Sequence, residues 1–348
     1  MKIGNKEIQN FGSPYVIAEI GANHNGDMEL AKKMIDSAME CGVDAVKFQS
    51  WNPTSLIAKE EYERNQSYDD SPKKHFGSLK EMVDKYYLRE EQHFELKEYC
   101  DSKNVDFCST PFSENEVDLL EKCDVPFYKV ASMDINNFQL LNYLCDKNKP
   151  VILSTGMARL SEIDKAVELL VKNGVRDIAL LHCISIYPPA YEDINLKNIS
   201  MLQQAFDLPI GFSDHSIGFS IPLASVALGA CIIEKHFTTD KNLPGWDHEV
   251  SADPSEMKII CEESANIAES MGSYARVVSM AEQEKKKKFR RSIVTKRELK
   301  PGHILTNDDM TSKRPGTGIS PDMIPDLIGM KITKNIEEDH LISWDHLT

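Results

Sequence analysis

Eight short apolar runs, separated by stretches of helical periodicity, constrain the fold of this chain more than any other feature. Strands that alternate with helices favour a parallel sheet, and eight repeats fit a closed barrel. The runs are VIAEI (16–20), VDAVKFQ (43–49), VDFCST (105–110), PFYKVAS (126–132), PVILST (150–155), IALLHC (178–183), LPIGFSD (208–214) and ACIIEKH (230–236). We therefore predict the α/β class, with a (β/α)8 (TIM) barrel.

Polar residues near the ends of these runs predict where function resides. In such a barrel the C-terminal ends of all strands meet at one mouth, which carries the active site. The side chains expected at that mouth are Glu19, Lys47, Gln49, Thr110, Lys129, Ser132, Ser154, His182, Ser213, His215, Glu234 and His236. Gathering so many polar groups is costly unless they bind something. We therefore predict an enzyme that acts on an anionic substrate.

The chain is long enough for a barrel and one further small domain. It has 348 residues, whereas a barrel of this type takes about 250. We predict a barrel domain over 1–281, an exposed charged linker over 282–291 (EQEKKKKFRR), and a compact β-rich domain over 292–348. The second strand is followed by an insertion at 51–87, which is expected to be either a substrate lid or a solvated decoration.

Charge and cysteine content exclude several classes of protein. The net charge of −15 argues against nucleic acid or an anionic membrane as the main partner. The eight cysteines form no CxxC motif and mostly lie in apolar contexts, as small core residues do. The N-terminal residues lack a signal-peptide pattern, and no apolar run reaches about 18 residues. We predict a cytoplasmic protein.

Two histidines at neighbouring strand ends are candidate metal ligands. His215 follows the seventh strand and His236 ends the eighth. Two imidazoles completed by carboxylate or water suit a divalent first-row ion such as Mn²⁺ or Co²⁺. A closed zinc site would need two more protein ligands, for which no obvious pair exists. The alternative for each histidine is a hydrogen-bonded structural role.

Lysines and hydroxyls at other strand ends predict a site for phosphate. Lys47 and Lys129 supply positive charge, and hydroxyls and loop amides complete the coordination of an anion. The hydroxyl-bearing candidates are Ser132, Ser154, Thr155 and Ser213, with Gly156 following. Lys129 could instead form a Schiff base with a keto acid.

Three carboxylates and one tyrosine complete the candidate set. Glu19 could transfer a proton, and Asp247 could accept hydrogen bonds from a polyol. Asp134, in the segment ASMDINN, is a further candidate, although it could instead cap the helix that follows, as loop carboxylates often do. Tyr187, in the segment CISIYPPAYEDINL, could line a sugar pocket.

Taken in chain order, the motifs resemble the N-acetylneuraminate (sialic acid) synthase family. Its members condense phosphoenolpyruvate with an amino sugar to make nonulosonic acids. The motifs are AEIGANHNG, DAVKFQ, STPF, YKVAS, ILSTGM, LLHC followed by IYPP, GFSDHS, EKHFT and KRPGTGI. They span nearly the whole chain, and the C-terminal part resembles the antifreeze-like (SAF) domain that ends these synthases.

The resemblance implies specific roles. It makes His215 and His236 ligands of a divalent ion, Mn²⁺ with Mg²⁺ or Co²⁺ as alternatives. It assigns phosphoenolpyruvate to Lys47, Thr110, Lys129, Ser132, Ser154 and Ser213. Glu19 would lie near the substrate carbonyl, while Tyr187 and Asp247 would lie at the acceptor sugar, with Gln49 and Asp134 also among the substrate-binding residues. Arg314 would enter the active site of a second subunit, which implies a domain-swapped homodimer.

Three departures from the family pattern fall on the presumed sugar side. Sialic acid synthases commonly have Ser-Gly-Glu where this chain has Ser132-Met133-Asp134, Asn where it has Ser185, and Pro where it has Trp246. The acceptor therefore stays open between N-acetylmannosamine and a 2,4-diacetamido-trideoxyhexose. A Schiff-base pyruvate aldolase using Lys129, and a non-enzymatic sugar- or ice-binding protein, are the competing hypotheses.

Overall fold

The computed structural model describes residues 1–65 and 78–348. They form two compact units, Met1–Gly272 and Ser273–Thr348. The predicted linker over 282–291 lies inside the second unit, where most of it belongs to the helix Met280–Phe289. The units thus divide before residue 281, which we predicted as the end of the barrel domain.

The first unit is a (β/α)8 barrel, as predicted. A short hairpin, β1 (Lys2–Ile3) and β2 (Lys6–Glu7), precedes it. Each of the eight apolar runs overlaps one barrel strand: β3 (Tyr15–Gly21), β4 (Ala45–Ser50), β5 (Asp106–Pro111), β6 (Tyr128–Val130), β7 (Val151–Ser154), β8 (Ile178–Cys183), β9 (Ile210–Asp214) and β10 (Ile232–His236). The hydrogen-bonded order is β5-β4-β3-β10-β9-β8-β7-β6. The end strands β5 and β6 contact each other and close the sheet.

Helices cover the outside of this sheet. They are α1 (Met28–Glu40), α2 (Lys59–Arg64), α3 (Leu79–Tyr86), α4 (Glu90–Lys103), α5 (Glu114–Lys122), α6 (Phe138–Cys145), α7 (Leu160–Lys172), α8 (Tyr191–Ile194), α9 (Lys197–Phe206), α10 (Ser220–Ala227) and α11 (Pro254–Met271). Local sequence sets their ends. Asp27, for example, accepts hydrogen bonds from the first turn of α1, and Asp253 does the same for α11, which has Pro254 in its first turn.

The period of two along each strand divides the apolar residues into two cores. Outward residues such as Val46 and Phe212 pack against the helices. Inward residues such as Ile17 and Ile152 fill the barrel interior, together with Ile3 and Ile8 from the hairpin segment. This interior packing leaves the later, polar residues of the strands to form the opposite end of the barrel.

The insertion at 51–87 contains α2 and α3, and its residues 66–77 lie outside the described part of the chain. Trp51 donates a hydrogen bond from Nε1 to the carbonyl of Val83 at 3.1 Å. Both belong to a small apolar cluster against which Trp246, from the loop after β10, also packs. The described parts of the insertion therefore pack against the loop that carries Asp247. Whether the insertion acts as a lid stays a prediction.

The second unit has the short strands and short helices that the sequence predicts. Its helices are α12 (Met280–Phe289) and α13 (Ile324–Leu327), and its strands β11 (Ser292–Thr295) and β12 (Met310–Lys313) pair antiparallel. A separate core includes Ile293, Leu305 and Ile342. Asp309 is fully buried there, and Arg297 and His303 contact its carboxylate at 2.6 and 2.8 Å.

Neither compartment nor membrane attachment follows from these elements. All eight cysteines are free thiols, and all but Cys261 are buried. Within the described ranges, no helix has the length and apolar character needed to cross a membrane.

Candidate active site at the carboxyl ends of the strands

Strand register brings three of the predicted residues to one level of the barrel. His236 of β10 is the register partner of Glu19 of β3, and Glu19 is the partner of Lys47 of β4. On the same face of β4, Gln49 pairs with Thr110 of β5. Because the strands are parallel, these side chains meet at the carboxyl end of the barrel.

Glu19 and Lys47 form a buried ion pair. The Lys47 Nζ lies 2.7 Å from Glu19 Oε2 and donates a hydrogen bond to Thr110 Oγ1 at 3.2 Å. Gln49 Nε2 donates to the other oxygen, Glu19 Oε1, at 2.7 Å. Gly21 lies two residues after Glu19 and has a φ of +53°. A Cβ at position 21 would lie 3.1 Å from Glu19 Oε1. The glycine therefore leaves room for the Glu19 carboxylate.

Glu234 joins this pair to the second lysine. Its carboxylate lies 3.7 Å from Lys47 Nζ and 3.6 Å from Lys129 Nζ, and it accepts a hydrogen bond from Ser213 Oγ at 2.8 Å. Lys129 also donates to Ser154 Oγ at 2.7 Å. Two lysines and two carboxylates thus share one buried space.

These charges shift one another's pKa in different directions. Burial raises the pKa of Glu19, against the opposing effect of Lys47. Burial alone would also raise the pKa of Glu234, but Lys129 and Lys47 lower it below its ordinary value. Burial alone would lower the pKa of Lys47, but Glu19 and Glu234 raise it. For Lys129 burial prevails and lowers the pKa.

The two histidines face each other beside this network. The centroids of the His215 and His236 rings are 5.5 Å apart. His215 Nδ1 lies 2.7 Å from the carbonyl oxygen of Ile184, so we assign its proton to Nδ1 and its lone pair to Nε2. Asp247 Oδ2 lies 3.7 Å from His236 Nδ1.

This donor set fits a divalent cation. A ligating histidine usually donates its second ring N–H to a carbonyl or carboxylate, as His215 does to Ile184. Within residues 1–65 and 78–348, no group of three or more His, Cys, Asp or Glu side chains is arranged to hold an ion. If an ion binds here, His215 and His236 would be its protein ligands, and water or substrate would complete the shell.

Tyr187 covers this pair from the loop after β8. Its ring centroid is 3.9 Å from that of His215 and 5.7 Å from that of His236. Tyr187 is itself exposed to solvent. Cys183 Sγ approaches His215 Nδ1 to 3.9 Å. The aromatic face and the histidines together line a partly apolar site beside the charged network.

Comparison with known proteins gives the family of this chain. Residues 34–276 match the NeuB family model, and residues 290–348 match the SAF domain model. The chain belongs to the NeuB family. It is 42% identical to the N,N'-diacetyllegionaminic acid synthase of Campylobacter jejuni over 94% of this chain and 98% of that protein.

Further relatives of this NeuB family chain include an experimental structure. It is 38% identical to the N,N'-diacetyllegionaminic acid synthase of Legionella pneumophila, over 96% of this chain and 94% of that protein. A crystal structure of N-acetylneuraminic acid synthetase from Leptospira borgpetersenii in complex with citrate aligns with a TM-score of 0.72 and 37% identity. That alignment covers 82% of this chain and 94% of the other. The relatives thus match both parts of the chain.

A second group of predicted residues lies around the turn after β7. The Gly156 amide donates to Ser132 Oγ at 3.0 Å. A Cβ at Gly156 would lie 2.7 Å from Ser132 Oγ and 2.4 Å from Ser185 Oγ. Glycine at 156 therefore lets Ser132 and Ser185, from two different loops, approach the same backbone atom.

Asp134 does not cap the helix that follows it. The N-cap of α6 is Asn137, whose side chain accepts from the amide of Leu140. The Asn137 amide in turn donates to Asp134 Oδ1 at 3.0 Å. Asp134 is buried, and burial raises its pKa. The side chain of Asp134 thus contacts Asn137, and a contact with substrate stays a prediction.

His182 is not at the mouth, and that prediction was wrong. Its Nε2 lies 2.6 Å from the carbonyl oxygen of Ile194 in α8, and its ring packs beside Phe212 in the outer core. Because side chains alternate along a strand, Cys183 faces the site and His182 faces the helices. Counting residues from Leu181, which fills the barrel interior, would have separated the two.

Arg314 belongs to the second unit. It follows β12, and its guanidinium lies 5.1 Å from the ring centroid of Phe289. Both side chains are exposed. This stacking orients a cation and an aromatic ring on the surface of that unit. The entry of Arg314 into a partner's site stays a prediction.

Sequence reasoning missed the contacts of three further residues. It placed Glu234 at the mouth but gave it no role, although Glu234 links both lysines. It did not place Asp214 and Lys235, which form a buried ion pair on the outer face of β9 and β10. The signal for this ion pair was available, because Asp214 and Lys235 are adjacent in sequence to His215 and His236.

Proposed function

We propose that this protein is a nonulosonic acid synthase. It would condense phosphoenolpyruvate with an N-acylated hexosamine to give a nine-carbon 2-keto acid and phosphate. The observation that supports this most is the pairing of two buried lysines with two facing histidines at one barrel mouth. The synthase names of the relatives agree with it.

The charged network suits an anionic substrate. Lys47 and Lys129 are both 3% exposed, and the carboxylates of Glu19 and Glu234 balance them. The phosphate and carboxylate of phosphoenolpyruvate would bring further negative charge, which a divalent ion would offset. Ser154 accepts a hydrogen bond from Lys129, and Thr110 accepts one from Lys47. Ser213 donates a hydrogen bond to Glu234. These hydroxyls are in place to accept or donate hydrogen bonds as an anion displaces these contacts.

The proposed reaction forms one carbon–carbon bond and one carbon–oxygen bond from water, and it breaks the carbon–oxygen bond to phosphate. C3 of phosphoenolpyruvate bonds to the aldehyde carbon of the open-chain sugar, and the aldehyde oxygen takes a proton. Water adds at C2 and loses a proton, and phosphate leaves from C2 to give the ketone. His215 and His236 would hold a divalent ion, with Mn²⁺ preferred over Mg²⁺ or Co²⁺. The bound ion would act as a Lewis acid and polarise the aldehyde of the sugar.

Glu19 is the residue we assign to proton transfer. Its carboxyl is 2% exposed, and its raised pKa brings it closer to neutral pH. Gln49 and Lys47 hold its two oxygens in fixed positions. The lysines orient phosphoenolpyruvate, which reduces the entropy cost of bringing two substrates together.

Asp247 and Tyr187 are the groups we assign to the acceptor. Each lies against one of the two histidines, so a sugar whose carbonyl is at the ion would contact both. The two relatives named as N,N'-diacetyllegionaminic acid synthases favour a 2,4-diacetamido-trideoxyhexose over N-acetylmannosamine. The Asp134, Ser185 and Trp246 departures are consistent with an acceptor other than that of sialic acid synthases.

We further propose that the active assembly is a homodimer in which Arg314 of each chain serves the partner's mouth. Large apolar side chains are exposed in four consecutive loops of the barrel rim: Met133, Met157, Ile186 and Ile217. An apolar arc of this kind favours a protein partner. The exposed Arg314 and Phe289 are suited to be the partner's contribution.

One observation favours a second candidate. The lowered pKa of Lys129 is what a Schiff-base lysine requires. A pyruvate aldolase would be trapped irreversibly when borohydride is added with pyruvate, and the adduct would map to Lys129 by mass spectrometry. The synthase hypothesis predicts no adduct.

The metal part of the proposal has a matched pair of variants. His236→Ala should abolish metal-dependent phosphate release while the fold is kept, as judged by circular dichroism. The control is His182→Ala, on β8 of the same barrel, which removes an equally buried imidazole that faces away from the site. An active His236→Ala enzyme that ignores chelator would exclude the metal assignment.

A further inference from the structure

A buried ion pair lies directly behind the two histidines. Lys235 Nζ is 2.6 Å from Asp214 Oδ2 and donates a second hydrogen bond to the Ser216 carbonyl at 2.5 Å. The side chains of Lys235 and Asp214 are 0% and 1% exposed. Neither belongs to the charged network inside the barrel, because both face the outer side of their strands.

The carboxylate of Asp214 also organises the residues on both sides of His215. Asp214 Oδ1 accepts from the backbone amide of Ser216 at 2.9 Å, and Oδ2 accepts from Ser216 Oγ at 3.0 Å. With Lys235 included, four hydrogen bonds join Asp214, Ser216 and Lys235. His215 lies between Asp214 and Ser216 in the chain, so these hydrogen bonds fix the residues on either side of it.

The backbone ladder alone does not hold His215. The last register pair between β10 and β9 is Lys235 with Asp214. His215 is the first residue beyond β9, whereas His236 is the last residue of β10. The separation of the two imidazoles therefore depends on what fixes the chain just past Asp214.

Stability does not account for a buried ion pair at this place. Removing two charges from water is costly, and well-packed apolar residues often serve a core equally well or better. A buried ion pair at this place is better explained by the geometry that it imposes on the adjacent residues. The residues adjacent to this pair are His215 and His236.

We propose that Asp214 and Lys235 are positioning residues that set the distance and orientation of His215 and His236 for a divalent cation. This inference rests on the cation site of the proposed function. It differs from that proposal by assigning a role to residues that contact neither substrate nor ion. Outer groups that orient metal ligands typically change metal affinity by 10–100-fold.

The test is Mn²⁺ binding to the full-length protein without substrate, measured by the electron paramagnetic resonance of free Mn²⁺. The double variant Asp214→Asn/Lys235→Met removes both charges and keeps similar side-chain volumes, so no charge is left unpaired. We expect its Kd for Mn²⁺ to rise about tenfold or more. We also expect saturating Mn²⁺ to restore most of the phosphate-release rate, because the ligands themselves are retained.

The matched control is Asp44→Asn/Lys6→Met. The Lys6–Asp44 pair has the same 2.6 Å separation, but Asp44 binds the amide of Val16 near the start of β3, away from the mouth. We expect this variant to lose stability without a change in Mn²⁺ affinity. Equal weakening in both double variants would mean a general effect of destabilisation and would overturn the inference.

Two further results separate this inference from the proposed function. If the wild type binds Mn²⁺ and a folded Asp214→Asn/Lys235→Met protein binds it equally well, the positioning role is wrong and the cation site stands. If the wild type binds no Mn²⁺ with or without phosphoenolpyruvate, both fail. Should the double variant not fold, the isosteric variant Asp214→Asn replaces it, and wild-type affinity in that folded variant overturns the inference.

Discussion

The ammonium group of Lys47 lies 2.7 Å from Glu19 Oε2, and both side chains are almost fully buried. The two residues are register partners on adjacent strands, so the barrel itself sets their contact. Burial raises the pKa of Glu19 while Lys47 opposes the shift, which agrees with the proton-transfer role that we propose for this carboxyl group.

Replacing this carboxylate should slow the chemical step more than it weakens binding. For Glu19→Gln we expect kcat to fall about 100-fold or more, since a positioned acid or base commonly contributes that factor. The KM for phosphoenolpyruvate should change little, because Lys47 and Lys129 remain. Steady-state phosphate release measures both. Glu116→Gln, another buried carboxyl outside the site, is the control, and similar kcat values in both variants would remove Glu19 from the mechanism.

The lowered pKa of Lys129 predicts a pH dependence of anion binding. A lysine attracts an anion only when protonated, so affinity for phosphoenolpyruvate should fall as pH rises through this pKa. Burial lowers that pKa, so the fall should begin at a lower pH than for an ordinary lysine, whose pKa is about 10.4. Calorimetric titration from about pH 7 to about pH 9.5 measures it. Lys129→Arg should flatten the profile, and a flat wild-type profile would contradict the prediction.

Arg314 should matter for turnover and not for assembly. We expect Arg314→Ala to lower kcat/KM about 10-fold or more, because loss of a charge-assisted contact costs about 1.5–3 kcal/mol. Light scattering should still find the wild-type oligomer. Lys313→Ala, at the adjacent residue with an exposed partner in Asp339, should leave kinetics unchanged. Near wild-type kinetics for Arg314→Ala would place this arginine outside the site.

Two buried histidines outside the proposed cation site predict acid sensitivity. Burial lowers the pKa of His24 and of His248 to about 4 each, from 6.5. Between these values the unfolded chain binds more protons than the folded one, so stability falls as pH decreases from about 6.5 toward 4. The loss is about 2 kcal/mol per histidine at about pH 5.

Urea unfolding at about pH 7.5 and about pH 5 measures this loss. The variant His24→Gln/His248→Gln cannot titrate at these positions and should lose less stability between the two pH values than the wild type. An equal loss in both proteins would show that His24 and His248 are not buried in the neutral form.

The fold could be predicted because each barrel strand has a recognisable local sequence pattern. Each strand is buried on both faces, so all eight appear as short apolar runs. The site was predictable to the extent that polar residues end those runs. The error at His182 arose from treating the last residues of IALLHC alike, although only alternate residues face inward.

Other features depend on contacts that no local pattern encodes. The ion pair of Asp214 with Lys235 depends on the register of two strands separated by a helix. The run 282–291 was predicted as a linker from its charge, whereas Ser279 caps a helix there and Lys286, Lys287 and Lys288 lie in its last turn. Cations at a helix C-terminus interact favourably with the helix dipole, which offsets their mutual repulsion.

Synthase activity can be tested by phosphate release from phosphoenolpyruvate with Mn²⁺ across a panel of N-acylated hexosamines, with mass analysis of the products. We expect release with a 2,4-diacetamido-trideoxyhexose, formation of a nine-carbon 2-keto acid in equal amount, and loss of both on chelation. Absence of phosphate release with every sugar, in a folded protein that binds Mn²⁺, would contradict this expectation.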